Sequence, residues 1–392
     1  MAKPILLLGA GASIDAGLPN AYDLTRHVYD RLPAHSSNEK KLYAYVVAKL
    51  LTRQSRLGNS PFDRLNVEEV YDALKRFLSR DSDVLAEFVY SWDEIATTTR
   101  VRFEAGRFVD RLSNAFSIRQ GLGRLTVHGD RSRLQDAAAQ ISRAFNPSQP
   151  EFDLDSALRP YLTTLVQCLQ SDSKPKDYLY KLISFCQDNT EAVATLNYDL
   201  LLEDVCTQND LKFDYGLEYW NKRKFIRFQR ADLKLIKLHG SLNWFENKDD
   251  ILINPTNANY YKRGLIFGGQ GDKLVPHGPY LQLRHEFQRM LRSTNVLGII
   301  GYSFQDQHLN AIIRAWVSSR TKAKLVILDP GNPPLRDDVL GKWYTPDRTG
   351  QVSRYNVEIV HIQETASGGM DRMIASLLKA PNPQAMAPEK KM

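Results

Sequence analysis

The sequence predicts an α/β protein, a Rossmann-like, doubly wound parallel sheet that carries a large helical insertion. Short apolar runs rich in β-branched residues are followed by helical patterns, and this alternation is typical of βαβ units. Small and polar residues follow several of these runs directly, as they do at the ligand-binding edge of open α/β sheets. A long stretch after the first run has apolar residues at three- and four-residue spacing, which indicates helices.

The first strand is predicted at PILLL (4–8), directly before the turn GAGAS. Five further strands are predicted at 192–196, 233–238, 295–300, 324–328 and 357–362. We expect a helix after each strand, because parallel neighbours need a crossover connection. A hairpin is also predicted within 213–230, where KFIRFQR alternates apolar and polar residues.

The middle of the chain is predicted to be mostly helical. Helical spacing occurs in KKLYAYVVAKLLTR, NVEEVYDALKRFLSR, VLAEFVYSW, RLQDAAAQISRAF and LRPYLTTLVQCL. We therefore predict a core domain formed by 1–30 and 190–380, and an insertion at 31–189 that serves assembly or regulation. The Pro-rich, basic tail at 381–392 is expected to be disordered.

Composition points to a cytoplasmic protein without a membrane segment. The 392 residues are 43% hydrophobic and 25% charged, as in ordinary globular proteins. No apolar run approaches the roughly 20 residues that span a bilayer, and no small-residue cleavage site follows the first apolar run, so we expect no signal peptide. Three isolated cysteines without a CxxC pair favour a reducing compartment and exclude a four-cysteine zinc site. The net charge of +7 indicates only a weak attraction to polyanions.

Four polar blocks follow predicted strands: GAGAS at 9–13, NYD at 197–199, HGS at 239–241 and GYS at 301–303. Gly9 and Gly11 would let backbone amides approach a diphosphate. The dinucleotide motif GxGxxG nevertheless fails, because Ile14 occupies its last position and no ribose-binding acid ends a second strand within about 30 residues. A hydride-transfer dehydrogenase is therefore disfavoured. Taken alone, the glycine turn fits a phosphate site and a simple tight turn equally well.

In order along the chain, GAGAS-x3-GLP, TLNYD, KLHG and GYSF resemble the conserved blocks of the sirtuin-type NAD-binding domain. The resemblance covers about half the chain and none of the helical insertion, and it implies NAD+ as the substrate. Deacetylating sirtuins carry a zinc ribbon of two CxxC pairs after the HG block, whereas this chain continues with SLNWF. The pattern resembles bacterial NAD-consuming effectors of anti-phage defence, the HerA-associated kind more than the Thoeris kind.

The resemblance implies a role for each matching residue. Asn197 would bind a ribose hydroxyl and the attacking water, His239 would act as general base, and Asp199 would contact the carboxamide or stabilise the cation. Further contacts to NAD+ are expected from Gly9, Ala10, Gly11, Ser13, Asp15, Asn20, Gly301, Ser303 and Asp329. The structural alternatives are a turn or helix cap for Asn197 and Ser303, and a buried structural histidine for His239. No metal is expected, because the other histidines lack metal-ligand spacing.

These observations predict an NAD+ glycohydrolase that releases nicotinamide and ADP-ribose and depletes cellular NAD+ in abortive infection. Such an enzyme must be silent at rest, so a homo-oligomer and a HerA-type ATPase partner are expected, with DNA binding through that complex left open. One alternative is a scaffold that senses NAD+ or ADP-ribose without cleaving it. Another is a protein deacylase, which the missing zinc ribbon disfavours. The basic, aromatic KRKFIRFQR stretch fits a protected hairpin edge or a nucleic-acid surface.

Overall fold

A computed structural model of the chain describes residues 3–33, 38–58, 64–79, 154–170, 176–267, 278–320, 322–331 and 357–381. The chain divides into two compact units. The first comprises residues 1–28, 64–69 and 164–392, and the second comprises residues 29–63 and 70–163. The division predicted from the sequence, with an insertion at 31–189, stays a prediction.

The described strands are β1 (Ile5–Leu8), β2 (Ala192–Thr195), β3 (Phe213–Asp214), β4 (Leu233–Lys237), β5 (Gly240–Asn247), β6 (Asp250–Ile253), β7 (Lys262–Leu265), β8 (Val296–Ile300), β9 (Ala323–Leu328) and β10 (Val357–Ile362). The described α-helices are α1 (Gly11–Ile14), α2 (Ala21–Arg31), α3 (Asn38–Arg56), α4 (Val67–Leu78), α5 (Leu154–Cys168), α6 (Asp177–Asn189), α7 (Leu201–Gln208), α8 (Leu217–Arg223), α9 (Tyr280–Leu291), α10 (Gln307–Ser318) and α11 (Ala366–Leu378).

A seven-stranded parallel sheet in the order β10-β9-β8-β1-β2-β4-β3 forms the centre of the first unit. The chain leaves β1 towards β2 on one side, and β8 later pairs with β1 on the other side. This reversal makes the edge beside β1 the switch point at which doubly wound sheets bind ligands. The predicted fold class is therefore confirmed, and the six predicted strands match observed strands to within one residue at each end.

Helices cover the central strands and bury them completely. All four residues of β1 are at most 2% exposed, which explains its uninterrupted apolar sequence. Helix α11 packs against α6 and against β8 and β9, whereas α9 packs against β4 and α10. One hydrophobic cluster joins the strands to these helices. The strand ends consequently project from a rigid, closely packed support.

Helices follow several strands as predicted, but the prediction fails after β4. The residues that follow KLHG form β5, the central strand of an antiparallel sheet in the order β6-β5-β7. Gly240 begins this strand with φ of +86° and adjoins Gly264 so closely that a Cβ atom there would overlap the carbonyl oxygen of Gly264. The chain therefore enters β5 directly at Gly240, where the sequence predicted a helix.

The hairpin predicted within 213–230 is wrong. Residues 217–223 form α8, and residues 224–230 do not belong to a strand. Leu217 and Trp220 lie one helical turn apart and are both buried, so the first part of the segment packs one face of a short helix into the core. The alternating segment that follows inserts Ile226 into the core without strand pairing. Protection of a hairpin edge therefore does not explain the lysines and arginines of this stretch.

The second unit is helical wherever it is described. Helix α3 and parts of α4 and α5 belong to it, and the rings of Tyr43 and Tyr161 stack with centroids 6.1 Å apart. This agrees with the helical patterns predicted at KKLYAYVVAKLLTR, NVEEVYDALKRFLSR and LRPYLTTLVQCL. The predictions for VLAEFVYSW, RLQDAAAQISRAF and the 382–392 part of the tail lie outside the described residues. Within the described part of the chain, no helix combines the length and the apolar character needed to cross a bilayer.

Candidate active site

The predicted polar blocks line the carboxyl edge of four neighbouring strands. In the order of the strands, the first residues of interest are Gly301 after β8, Gly9 after β1, Asn197 after β2 and His239 after β4. Thr195 pairs with Lys237 in the parallel register, and Asn197 and His239 each follow two residues later. The amide of Leu238 donates to the carbonyl of Thr195 at 2.9 Å and continues this register towards the edge. Asn197 and His239 therefore occupy adjacent positions on the edge.

The side chain of Asn197 is fixed by two hydrogen bonds. Its Nδ2 donates to the carbonyl oxygen of Gly9 at 2.9 Å and to Oγ of Ser13 at 3.0 Å. A backbone carbonyl only accepts, so the atom facing Gly9 must be the amide nitrogen. Because both amide hydrogens are used inside the protein, Oδ1 of Asn197 is left as the acceptor that this side chain can offer a ligand.

Ser13 and Asp199 continue the hydrogen-bond chain that begins at Asn197. Oγ of Ser13 donates to Oδ2 of Asp199 at 2.7 Å, and Oδ1 of the same carboxylate accepts from the amide of Leu201 at 3.1 Å. Both side chains are buried. A buried carboxylate that accepts two hydrogen bonds is strongly oriented. In this structure Asp199 thus orients the Ser13 hydroxyl, which in turn orients Asn197, whereas its predicted contact with the nicotinamide stays a prediction.

The glycines of the first turn are required by contact with the turn after β8. The amide of Gly11 donates to the carbonyl of Gly301 at 2.9 Å. A Cβ atom on Gly9 would lie 2.6 Å from that carbonyl oxygen, and one on Gly11 would lie 2.6 Å from Cα of Gly301. Gly301 itself has φ of +59°, a conformation that favours glycine. These glycines are therefore needed whether or not a phosphate lies beside them.

Most amides of this turn already bind carbonyl oxygens of the chain. The N–H groups of Gly9, Gly11, Ala12 and Ser13 donate to Ile300, Gly301, Gly9 and Ala10 respectively. Ala10 makes no such backbone bond among the described residues. If a diphosphate binds here as predicted, the Ala10 amide is the donor that this turn has available.

His239 is paired with an acid, Asp306, that belongs to none of the four strand-end blocks. Its Nε2 lies 3.0 Å from Oδ2 of Asp306, and both side chains are only 4% exposed. Asp306 is the N-cap of α10 and follows GYSFQ in the sequence. An acid directly before the helical pattern QHLNAII was the available signal for a cap, but nothing local indicated that its partner is His239.

Tyr198, between Asn197 and Asp199 in the sequence, links the NYD block to Ile266 and Glu68. Its hydroxyl donates to the carbonyl of Ile266 at 2.7 Å and lies 3.1 Å from Oε1 of Glu68. Burial, and then the Glu68 carboxylate, raises the pKa of Tyr198 well above its usual value. The Tyr198 hydroxyl therefore stays protonated and acts as a structural donor. The ring centroids of Tyr198 and His239 are 6.3 Å apart.

A buried polar cluster lies behind Asn197 and was not found by sequence reasoning. Nζ of Lys237 contacts Oε1 of Glu203 at 3.0 Å and the carbonyl oxygen of Asp199 at 2.5 Å. Tyr215 donates to the same Glu203 oxygen at 2.8 Å, while Oε2 of Glu203 has no protein partner among the described residues. Glu203, Lys237 and Asn197 line a cavity of about 10 Å³, roughly the space for one water molecule.

Three of the four remaining predicted residues carry structural hydrogen bonds. Asn20 caps α2 by accepting from the amides of residues 22 and 23, and Asp15 accepts from the amide of Ser367 at 2.7 Å. Asp329 follows β9 and accepts from the amide of Gly331 at 2.8 Å. Ser303 is exposed and makes no hydrogen bond with the described residues. The ligand contacts predicted for these four residues stay predictions.

Comparison with known proteins gives weak likeness to solved structures and one domain match. A Sir2 homologue mutant in complex with 2'-O-acetyl ADP ribose aligns with 11% identity over 99% of this chain and 94% of its own, at a TM-score of 0.38. A complex of a Sir2 homologue with NAD aligns with 12% identity over 95% and 88%, at a TM-score of 0.37. The comparison with curated proteins gives no match. Residues 191–355, which contain the NYD, HGS and GYS blocks, match the family model of the SIR2-like domain, and this match supports the sirtuin-like fold expected from the sequence.

Proposed function

We propose that this chain is an NAD+ glycohydrolase that cleaves NAD+ to nicotinamide and ADP-ribose. The observation that carries the proposal is the fixed acceptor oxygen of Asn197 at the strand edge beside His239. The match of residues 191–355 to the SIR2-like domain adds support, since the resemblance implies NAD+ as substrate.

The reaction needs little covalent assistance from the protein. The bond between ribose C1' and the nicotinamide nitrogen breaks with both electrons going to nitrogen, so nicotinamide leaves as a neutral molecule. The positive charge passes to the ribose ring in an oxocarbenium-like state, as in glycoside cleavage. Water then adds its oxygen to C1' and loses one proton. The protein must hold the ribose, orient the water and accept that proton.

The residues at the edge match these requirements. Oδ1 of Asn197 accepts a hydrogen bond from the ribose hydroxyl or from the water, and the Gly9 and Ser13 contacts prevent the amide from rotating away. His239 accepts the proton, the role in which histidine is the commonest general base. Asp199 acts through Ser13 and keeps Asn197 in place.

A biological role follows from the cost of this activity to the cell. An enzyme that removes NAD+ continuously would kill its host, so it must be activated only on demand. We therefore propose an effector of anti-phage defence in the cytoplasm, regulated by oligomerisation and by a HerA-type ATPase, with the second unit as the region of assembly. The lysines and arginines in 222–230 are exposed, with Lys222 and Lys224 paired to Glu218 and Asp250, and they would supply the DNA contacts of such a complex.

The test is nicotinamide release by the purified full chain, alone and with its ATPase partner, at several protein concentrations. Asn197→Ala and His239→Ala should each lower the rate by about 100-fold or more, the scale of a lost general base. Two matched controls remove similar side chains elsewhere. Asn221→Ala deletes an amide that donates to the carbonyl of Ile251 at 2.7 Å, and His285→Ala deletes an exposed imidazole.

NAD+ binding should be measured separately by calorimetry. Loss of cleavage in the two site variants but not in the two controls would support the proposal. Binding of NAD+ without cleavage under any condition would replace it with a sensing scaffold. Removal of the acetyl group from an acetyl-lysine peptide would indicate a deacylase.

A further inference from the structure

Asp306 has one carboxylate oxygen committed to a helix and the other directed at His239. Oδ1 accepts from the amides of His308 at 3.0 Å and Leu309 at 3.1 Å, which caps α10. The helix therefore fixes the rotation of the carboxylate, and Oδ2 is left 3.0 Å from Nε2 of His239. An N-cap carboxylate at a helix N-terminus is also favoured electrostatically.

The turn that carries Asp306 is rigid. Tyr302 donates to the carbonyl of Asp306 at 3.2 Å and to Oδ1 of Asn310 at 2.9 Å, and Asn310 donates to the carbonyl of Phe304 at 2.7 Å. Phe304 has φ of +57°, although it is neither glycine nor asparagine. Such a conformation persists only where the surroundings enforce it, and it occurs often at functional sites.

We propose that Asp306 is a positioning residue that fixes the tautomer of His239. An ionised carboxylate only accepts hydrogen bonds, so the hydrogen of the neutral imidazole must be on Nε2. Nδ1 is then the ring nitrogen that can accept a proton. The inference rests on the proposed function in one respect, namely that Nδ1 is the atom that receives the proton during NAD+ cleavage.

Three other groups surround the pair. The ring of Tyr198 adjoins His239, and Glu68 contacts the Tyr198 hydroxyl. Arg284 of α9 is close enough for the Asp306 charge to raise its pKa, which partly opposes the lowering caused by burial. The acid beside His239 is thus buried at the N-terminus of α10, within electrostatic range of Arg284 on α9.

The decisive variant is Asp306→Asn. The amide oxygen can still cap α10, but the amide NH2 would then face His239 and require an acceptor at Nε2. The ring hydrogen should move to Nδ1, and the proposed base should be lost. We expect kcat to fall by about 100-fold or more, as for a base held in the wrong tautomer, with KM changed by less than about threefold. Asp306→Ser retains a cap without facing His239 and should leave a mixture of tautomers.

The readout that does not require activity is 15N NMR of the histidine rings in the full chain, with His239→Gln used to assign the signal. Wild type should show hydrogen on Nε2, Asp306→Asn should show it on Nδ1, and Asp214→Asn, a turn-capping acid on β3, should leave it on Nε2. Hydrogen on Nδ1 in wild type, or an unchanged tautomer in Asp306→Asn, would overturn the inference. If wild type and Asp306→Asn show the expected tautomers but no chain cleaves NAD+, the proposed function fails while the positioning role stands.

Discussion

At the scale of single residues, Lys237 has an unusual environment for a lysine. It is 1% exposed, and its ammonium group is neutralised by Glu203, which is also buried. The pair lies directly beneath Asp199, whose carbonyl oxygen Lys237 also binds. Desolvation of two charges offsets much of their attraction, so such a pair contributes little stability compared with apolar residues of the same size. Its presence here is better explained by the orientation it gives to Asp199.

Removal of the Lys237 charge alone should lower the free energy of unfolding more than removal of both charges of the pair. Lys237→Met leaves Glu203 buried without a counter-charge and should lower the free energy of unfolding by about 3–5 kcal/mol. The double variant Lys237→Met/Glu203→Gln removes both charges but keeps an acceptor for Tyr215, and it should recover most of that loss. Urea denaturation measures both variants. Lys222→Met, which breaks the exposed pair of Lys222 and Glu218 on α8, is the control and should change little.

A loss for Lys237→Met no larger than that for Lys222→Met would contradict this account. A double variant as unstable as the single one would also contradict it, because the defect would then be packing and not an unpaired charge. Measurement of nicotinamide release in the double variant separates the effect of Lys237 on the stability of the fold from its effect on the orientation of Asp199. If Lys237 orients Asp199, the rate should fall even where the fold has been restored.

At the scale of elements, the contact between the turns after β1 and β8 determines the shape of the site. Gly11→Ala places a methyl group 2.6 Å from the backbone of Gly301. We expect the two turns to separate at a cost of about 1–3 kcal/mol, as for other overpacked sites. Nicotinamide release should fall as well, because Gly9 in the same turn holds Asn197.

Gly368→Ala is the matched control for this substitution. Gly368 lies in α11, has no positive φ, and an added methyl group would lie 3.4 Å from Oγ1 of Thr365, an ordinary contact. In a helix this change should raise the free energy of unfolding by about 0.5–1 kcal/mol. Thermal unfolding of both variants measures the difference, and an equal effect would mean that the turns can separate without cost.

Elements with a strong local pattern were predictable, and those that depend on long-range contacts were not. Strand β9 reads as AKLVIL because both of its faces are buried, so its sequence alone indicates a strand. The turn into β5 depends on Gly240 lying against Gly264, which local spacing cannot reveal. The hairpin error has the same origin, since Trp220 and Ile226 of that segment are buried in the core, a contact that local alternation cannot reveal.

The site shows the same division. The strand-end blocks were found because they follow apolar strands, and the fold brings them to one edge. The partners that orient them, Asp306 for His239 and Lys237 for Asp199, were missed as functional groups. Asp306 follows β8, whereas His239 follows β4. Lys237 belongs to β4, whereas Asp199 follows β2. Such pairings depend on the spatial order of the strands, which is not the order of the sequence.

At the scale of the whole molecule, the proposed activity has to be reconciled with survival of the cell. The chain passes from one compact unit to the other four times, so the two units are covalently joined at four points. Assembly of the helical units is therefore a physically reasonable source of control. A coupling of this kind requires that assembly change the balance between active and inactive states.

This control predicts a specific dependence on concentration. Turnover per protomer should be low in dilute solution and should rise by about tenfold or more as the chain assembles, alone or with the proposed HerA-type ATPase, if assembly selects the active state. Mass photometry and nicotinamide release on the same samples measure the two quantities together. Asn197→Ala should assemble as wild type does and remain inactive, which separates assembly from catalysis. Rapid NAD+ cleavage by a dilute monomer would contradict control by assembly. Some other mechanism would then have to keep the enzyme inactive in the resting cell.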